Sequence, residues 1–133
     1  MNNEKNLATI TLRIQSSTLS PEEISQTLQV PPTDSHSKGE LMSSGNPLSA
    51  VYEENLWLRE FEEKHSLSEL FIDVGNFIEM NQDPLLTLAG TCTIDLFCGY
   101  FPKESQDSFF IENTTLQKIT KVPVNIISDV YTP

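Results

Sequence analysis

The sequence is poor in basic residues, in cysteine and in glycine, and it has no long apolar run. Only 8 lysines and arginines stand against 19 aspartates and glutamates, a net charge of −11. That balance excludes non-specific binding to nucleic acid or to an anionic membrane, both of which need a basic surface. It leaves a basic partner open. No apolar stretch reaches the ~20 residues of a membrane-spanning helix. The segment MNNEKNLATI has neither the apolar centre nor the small-residue cleavage pattern of a secretory signal. The expected compartment is therefore the cytoplasm. The five glycines form no phosphate-cradling pattern, and no G-x-S-x-G elbow occurs.

The two cysteines, Cys92 and Cys98, lie in the apolar run TCTIDLFCGY. As a strand, six residues at about 3.3 Å each would set them roughly 20 Å apart. A disulfide needs Cα atoms within about 7 Å, so they do not pair with each other. They share parity with Ile94 and Leu96, which marks them as buried thiols acting as small hydrophobes. No metal or other cofactor is expected.

What is present is a single domain over residues 1–133, long enough to build a hydrophobic core without staples. Three helix starts stand out. Ser20-Pro21-Glu22-Glu23 combines a capping serine, proline at the first helical position and glutamate at the third. Ser66-Leu67-Ser68-Glu69 and Thr114-Thr115-Leu116-Gln117 repeat the box. Each meets the need of first-turn amides that lack a helical partner. Leu67, Leu70, Phe71, Val74, Phe77 and Ile78 recur at spacings of three and four, which predicts a long amphipathic helix. Asp83-Pro84 should end or kink it, with Leu85 to Ala89 leading to the next strand. The outer helices are short, about Pro21 to Gln29 and Thr115 to Lys121.

Strands fill the gaps. Ile10, Leu12 and Ile14 alternate with Thr9, Thr11 and Arg13, the pattern of a half-buried strand. Val51 to Phe61 holds the only tryptophan, Trp57, among charges. Thr91 to Phe101 is the most apolar strand and is expected to be central. Phe109 to Ile111 reads as a short strand, and Val124 to Tyr131 as the last. Ser35 to Asn46 is polar, a loop or a weak edge hairpin. Three helices needing one sheet to cover predict an α+β two-layer sandwich with a mixed or antiparallel sheet. The strand-helix-strand unit at each end suggests a pseudo-repeat of split βαβ units.

Leu19-Ser20-Pro21-Glu22-Glu23-Ile24-Ser25, Leu28, Pro32-Thr33, Lys38-Gly39, Asn55-Leu56-Trp57-Leu58, Ser66-Leu67-Ser68-Glu69-Leu70 and Asp129-Val130-Tyr131 follow one another along the chain. This layout resembles a bacterial family catalogued only as a domain of unknown function. The family tends to place glycine after the helix leucine, where this chain has Gln29. The resemblance brings no catalytic residues. It implies a small solitary protein similar to immunity proteins that neutralise a neighbouring or delivered toxin.

His36 and His65 are far apart and sit beside serine, lysine and glutamate, the setting of solvated loop histidines rather than of a base or ligand. Lys38-Gly39-Glu40 is a turn before it is an anion site. The uneven charge is more informative. Residues 51–90 hold nine acids and two bases, a net −7 out of −11. Glu53, Glu54, Glu60, Glu62 and Glu63 cluster around Trp57. One reading is a solvated face that keeps the protein soluble. The other is an acidic docking surface, where charge speeds association and an exposed Tyr52, Trp57 or Phe61 anchors it.

The expected function is a small cytoplasmic binding protein of the immunity or inhibitor type, without catalysis. Its expected partner is a basic toxin domain, a nuclease, met through Glu53, Glu54, Trp57, Glu60, Glu62 and Glu63. The alternative is a small-ligand or regulatory binding domain using the loop Asp34 to Glu40. A DNA-mimicking acidic surface is a further variant.

Overall fold

The structure is a computed structural model that describes residues 7–104 and 106–132. Its elements run β1 (Leu7–Ser16), α1 (Pro21–Leu28), β2 (Asp34–His36), β3 (Asn55–Glu60), α2 (Leu67–Met80), α3 (Gln82–Ala89), β4 (Thr93–Phe101), α4 (Asn113–Ile119) and β5 (Asn125–Val130). The five strands form one mixed sheet in the order β2-β3-β1-β4-β5. Helices cover one face and leave the other open, so the fold is an α+β two-layer sandwich.

The strict alternation of β1 decides which face is which. Ala8, Ile10, Leu12 and Ile14 are buried, while Thr9, Thr11, Arg13 and Gln15 are half-buried on the opposite side. Register carries this across the sheet. Ile14 faces Trp57 on one side and Ile94 on the other; Leu12 faces Leu96, and Ile10 faces Cys98. Against this layer α2 presents Leu67, Leu70, Phe71, Val74 and Ile78. Ile24 and Leu28 of α1, Leu85 and Leu88 of α3, and Ile119 of α4 complete the core.

The first capping box is complete. Ser20 Oγ accepts from the Glu23 amide at 3.1 Å, and Glu23 accepts from the Ser20 amide at 2.9 Å. Ser66 caps α2 in the same way through the Glu69 amide. The third box does not form: α4 begins at Asn113, with Glu112 as its N-cap and no side-chain cap. Helix α1 closes on Gln29, a left-handed residue with φ of 61°. It occupies the place where the resembled family puts glycine.

Four other expectations are corrected. Residues 82–89 form a fourth helix, α3, separated from α2 by Asn81. Pro84 sits in its first turn, where a missing N–H costs nothing. The Phe109 to Ile111 stretch is not a strand; Phe109 instead packs against Tyr100 and Phe71. The central strand is β1, not β4. The two end units also differ. β1–α1–β2 is a split βαβ unit, because β3 lies between its parallel strands, whereas β4–α4–β5 joins adjacent parallel strands.

Candidate functional site

The open sheet face carries the chemistry. On its floor Leu56 and Leu58 of β3 and Phe97 of β4 flank the half-buried positions of β1. At its middle Arg13 and Asp95 are direct cross-strand partners. Arg13 Nε donates to Asp95 Oδ1 at 2.7 Å and Nη2 to Oδ2 at 3.2 Å, a bidentate pair. The guanidinium also lies over Phe97, 4.8 Å from the ring centroid. Only 6% of the Asp95 side chain is exposed, against 26% for Arg13. The pair is thus a neutralised fork set into the sheet, with Nη1 making no hydrogen bond among the described residues.

One wall is the connection between β2 and β3. Residues 37–54 extend the two strands as a bent hairpin. Its arms are joined by Gly39 N to Tyr52 O, Tyr52 N to Glu40 O and Met42 N to Ala50 O, each within 2.9 Å. Gly39 has a φ of +90°, which a side chain would strain. His36 fastens the base. Its Nδ1 meets Glu40 Oε2 at 2.7 Å, its Nε2 meets Asp34 Oδ2 at 3.2 Å, and its ring stacks on Tyr52. The hydrogen bond to Glu40 raises the His36 pKa above its ordinary value; partial burial opposes this and Asp34 adds to it. The same bond holds the Glu40 carboxyl below its ordinary value, helped by the Ser37 amide.

Between hairpin and sheet lies an open cavity of about 600 Å³, lined by Arg13, Gln15, Met42, Tyr52, Glu53, Glu54 and Leu56. At the other end of β3, Glu60, Glu62 and Glu63 join Thr9, Thr11 and Phe61 around a hollow of about 400 Å³. The acidic cluster is therefore divided. Glu53 and Glu54 precede β3, whereas Glu60 ends it and Glu62 and Glu63 follow, roughly 20 Å away along the strand. All five glutamates are exposed.

Trp57 stands apart from them. It is fully buried on the helix face, and its indole N–H donates to Ser25 Oγ of α1 at 3.0 Å. A contact surface cannot use it, so Trp57 is a core residue and not the anchor expected beside the glutamates. Strand alternation is the reason: Trp57 has the opposite parity to Leu56 and Leu58. Tyr52 and Phe61 are half-buried, and Phe61 packs edge-on against Phe77.

The sequence reading did not single out Arg13, Asp95 or Phe97. A signal for the first two exists. Arg13 is the one charge in the alternation of β1, and Asp95 is the one charge in the apolar run of β4. His36, read as solvated, is instead ordered between two carboxylates. Cys98 is buried, and desolvation pushes its thiol up to about 12, so it is not a nucleophile near neutral pH. Cys92 precedes β4 and is partly buried, rather than sitting within the strand as expected. Among the described residues no group of three or more His, Cys, Asp or Glu could hold a metal ion. No helix there is long and apolar enough to cross a membrane.

These features define a class: an α+β domain whose uncovered sheet face, with a bent hairpin at one margin and glutamates at both ends of one strand, is its distinctive surface. The chain belongs to the family described as Domain of unknown function (DUF4279), which it matches over residues 6–133. No curated protein and no solved structure matches it.

Proposed function

We propose that this chain is a small, non-catalytic cytoplasmic binding protein of the immunity or inhibitor type, and that the open sheet face receives a basic protein, a nuclease toxin. The observation that carries this reading is the bracketing of the face. Exposed glutamates stand at both ends of β3, Leu56 and Leu58 lie between them, and Phe97 of β4 lies level with Glu60 across β1. Dispersed acids would only keep the chain soluble. Acids flanking a partly apolar floor speed the encounter, while the floor supplies the contact that charge alone does not. Tyr52, half-buried at the cavity, is the anchor, a part that the enclosed Trp57 cannot take. Inhibition would be steric, with the partner's basic site covered.

The test is binding to the purified products of neighbouring genes at low and high salt. A basic protein that binds at low salt and weakens at high salt supports the reading. Association should slow at least about tenfold in a Glu60→Lys, Glu62→Lys double variant that still folds. Unchanged association in that variant would remove the acidic face from the contact.

A second reading rests on the cavity beside Arg13, whose volume lies within the ~300–1,000 Å³ of small-ligand sites. In that case the chain is a regulatory domain, and the ligand sits between Arg13, Tyr52 and the glutamates. A metabolite that raises Tm in the wild type but not in Gln15→Trp, which fills the cavity, would favour it.

A further inference from the structure

The two edges of the sheet are built differently. β2 is three residues long and carries Asp34 and His36, so it offers little to a foreign strand. β5 runs six residues, Asn125–Val130, without proline or lysine. Short edges, charges and prolines are what ordinarily guard a strand from pairing. Among the described residues nothing pairs with the outer side of β5. Its apolar side chains are open on both faces: Ile126 43%, Ile127 38% and Val130 53% exposed.

The backbone says which groups are free. β5 lies parallel to β4, and the Tyr131 amide donates to Tyr100 O. In a parallel ladder alternate residues bond inward, so Asn125, Ile127 and Asp129 face β4. Ile126, Ser128 and Val130 then direct their N–H and C=O groups outward. These groups call for a strand.

The charge and order of β5 say whose strand. β5 carries one charge, Asp129, and β3, whose ends hold the clustered glutamates, lies on the far side of β1, so this edge is where two copies of a chain of net −11 meet with less repulsion. The strand is also self-complementary when run antiparallel about Ile127. Ile127 then faces its own copy, Ile126 faces Ser128, and Val124 faces Val130. Asp129, the only charge in the strand, faces the amide of Asn125.

We propose that β5 pairs with β5 of a second copy, giving a two-fold dimer with one continuous ten-stranded sheet. The register places Ile126 and Ser128 as the hydrogen-bonded pair and Ile127 on the axis as the non-hydrogen-bonded pair. The two-fold stands perpendicular to the sheet, so both open faces look the same way. The β3 ends that carry the glutamates lie at the far margins, away from the contact.

The experiment is light scattering on the eluting full chain, over about a hundredfold range of concentration. A particle of twice 15.0 kDa is expected at the upper end. Its fraction should rise with salt, because salt screens the repulsion between two acidic copies. Ile127→Lys and Ser128→Pro should each return the protein to a monomer with unchanged circular dichroism. The proline removes only an outward N–H, which the monomer does not use. Ile127→Cys should cross-link to its own copy on oxidation, because directly opposed non-hydrogen-bonded Cα atoms lie about 4.5 Å apart. A Leu48→Cys control in the distant hairpin should not. A monomer under all conditions overturns the proposal. So does a dimer that survives both edge variants, or one in which Ile127→Cys does not cross-link.

Discussion

His36 lies flat on Tyr52, with ring centroids 4.3 Å apart and planes within 9°. The two residues stand on opposite arms of the hairpin beside the open face, and Tyr52 lines the cavity that the hairpin borders. His36 also reaches a carboxylate through each ring nitrogen. The hairpin's base is thus closed by a titratable ring, and its tightness depends on pH.

The folded pKa of His36 is raised above 6.5, so its contribution is fully present below 6.5 and fades as pH rises through the folded value. The folded pKa of Glu40 is lowered below 4.5, so its contribution is present above 4.5 and fades as pH falls through the folded value. The clamp is tightest between. Amides of Gly39, Met42 and Tyr52 should exchange more slowly at about pH 5.5 than at about pH 8.5, once intrinsic rates are divided out. His36→Gln should abolish that difference and leave the amides of β1 unaffected.

Arg13→Ala leaves the Asp95 carboxylate nearly enclosed without its fork. Such a loss costs about 3 kcal/mol for a pair that is only partly exposed. Urea unfolding should show it as a lower midpoint with an unchanged slope. Adding Asp95→Leu to Arg13→Met should recover most of the loss, because the lone charge is then gone. A single variant as stable as the wild type would show that water satisfies Asp95.

Gln29 holds a left-handed conformation at the end of α1, and its side chain donates to Gln26 O at 2.9 Å. Glycine adopts that conformation without strain but loses more freedom on folding. The exchange should favour Gln29→Gly by about 0.5 kcal/mol, read as a small rise in Tm. A fall in Tm would mean that the bond to Gln26 outweighs the strain.

Trp57 should emit at the short wavelengths of an enclosed indole and resist quenching by iodide. Trp57→Phe removes the bond to Ser25 and should cost about 1 kcal/mol. Trp57→Ala opens a cavity and should cost about 3–5 kcal/mol. Ready quenching in the native protein would contradict its enclosure.

Local periodicity made much of this fold legible. The α2 stripe from Leu67 to Ile78 and the alternation of β1 each depend on neighbours a few residues apart, and both appear as expected. Reading Pro84 as a stop hid α3, because a proline in a first turn and one that ends a helix look alike in sequence. Trp57 was misplaced for a related reason: charge clustering says nothing about parity, and parity sends Trp57 inward while its neighbours face out. The Arg13–Asp95 pair joins residues 82 apart, so it becomes visible only once strand order and register are known.

The position of β1 has a consequence for how the chain folds. This strand lies early in the sequence yet in the middle of the sheet, and its two neighbours come from residues 55–60 and 93–101. A stretch ending before β4 leaves β1 with one side bare and half of its apolar face without sheet neighbours. No early portion can therefore settle into a finished layer while the rest is still forming. β1 and β4 must first be brought together, at the entropic cost of closing the long loop between them. Folding should accordingly be slow for a chain of this size and all-or-none in character.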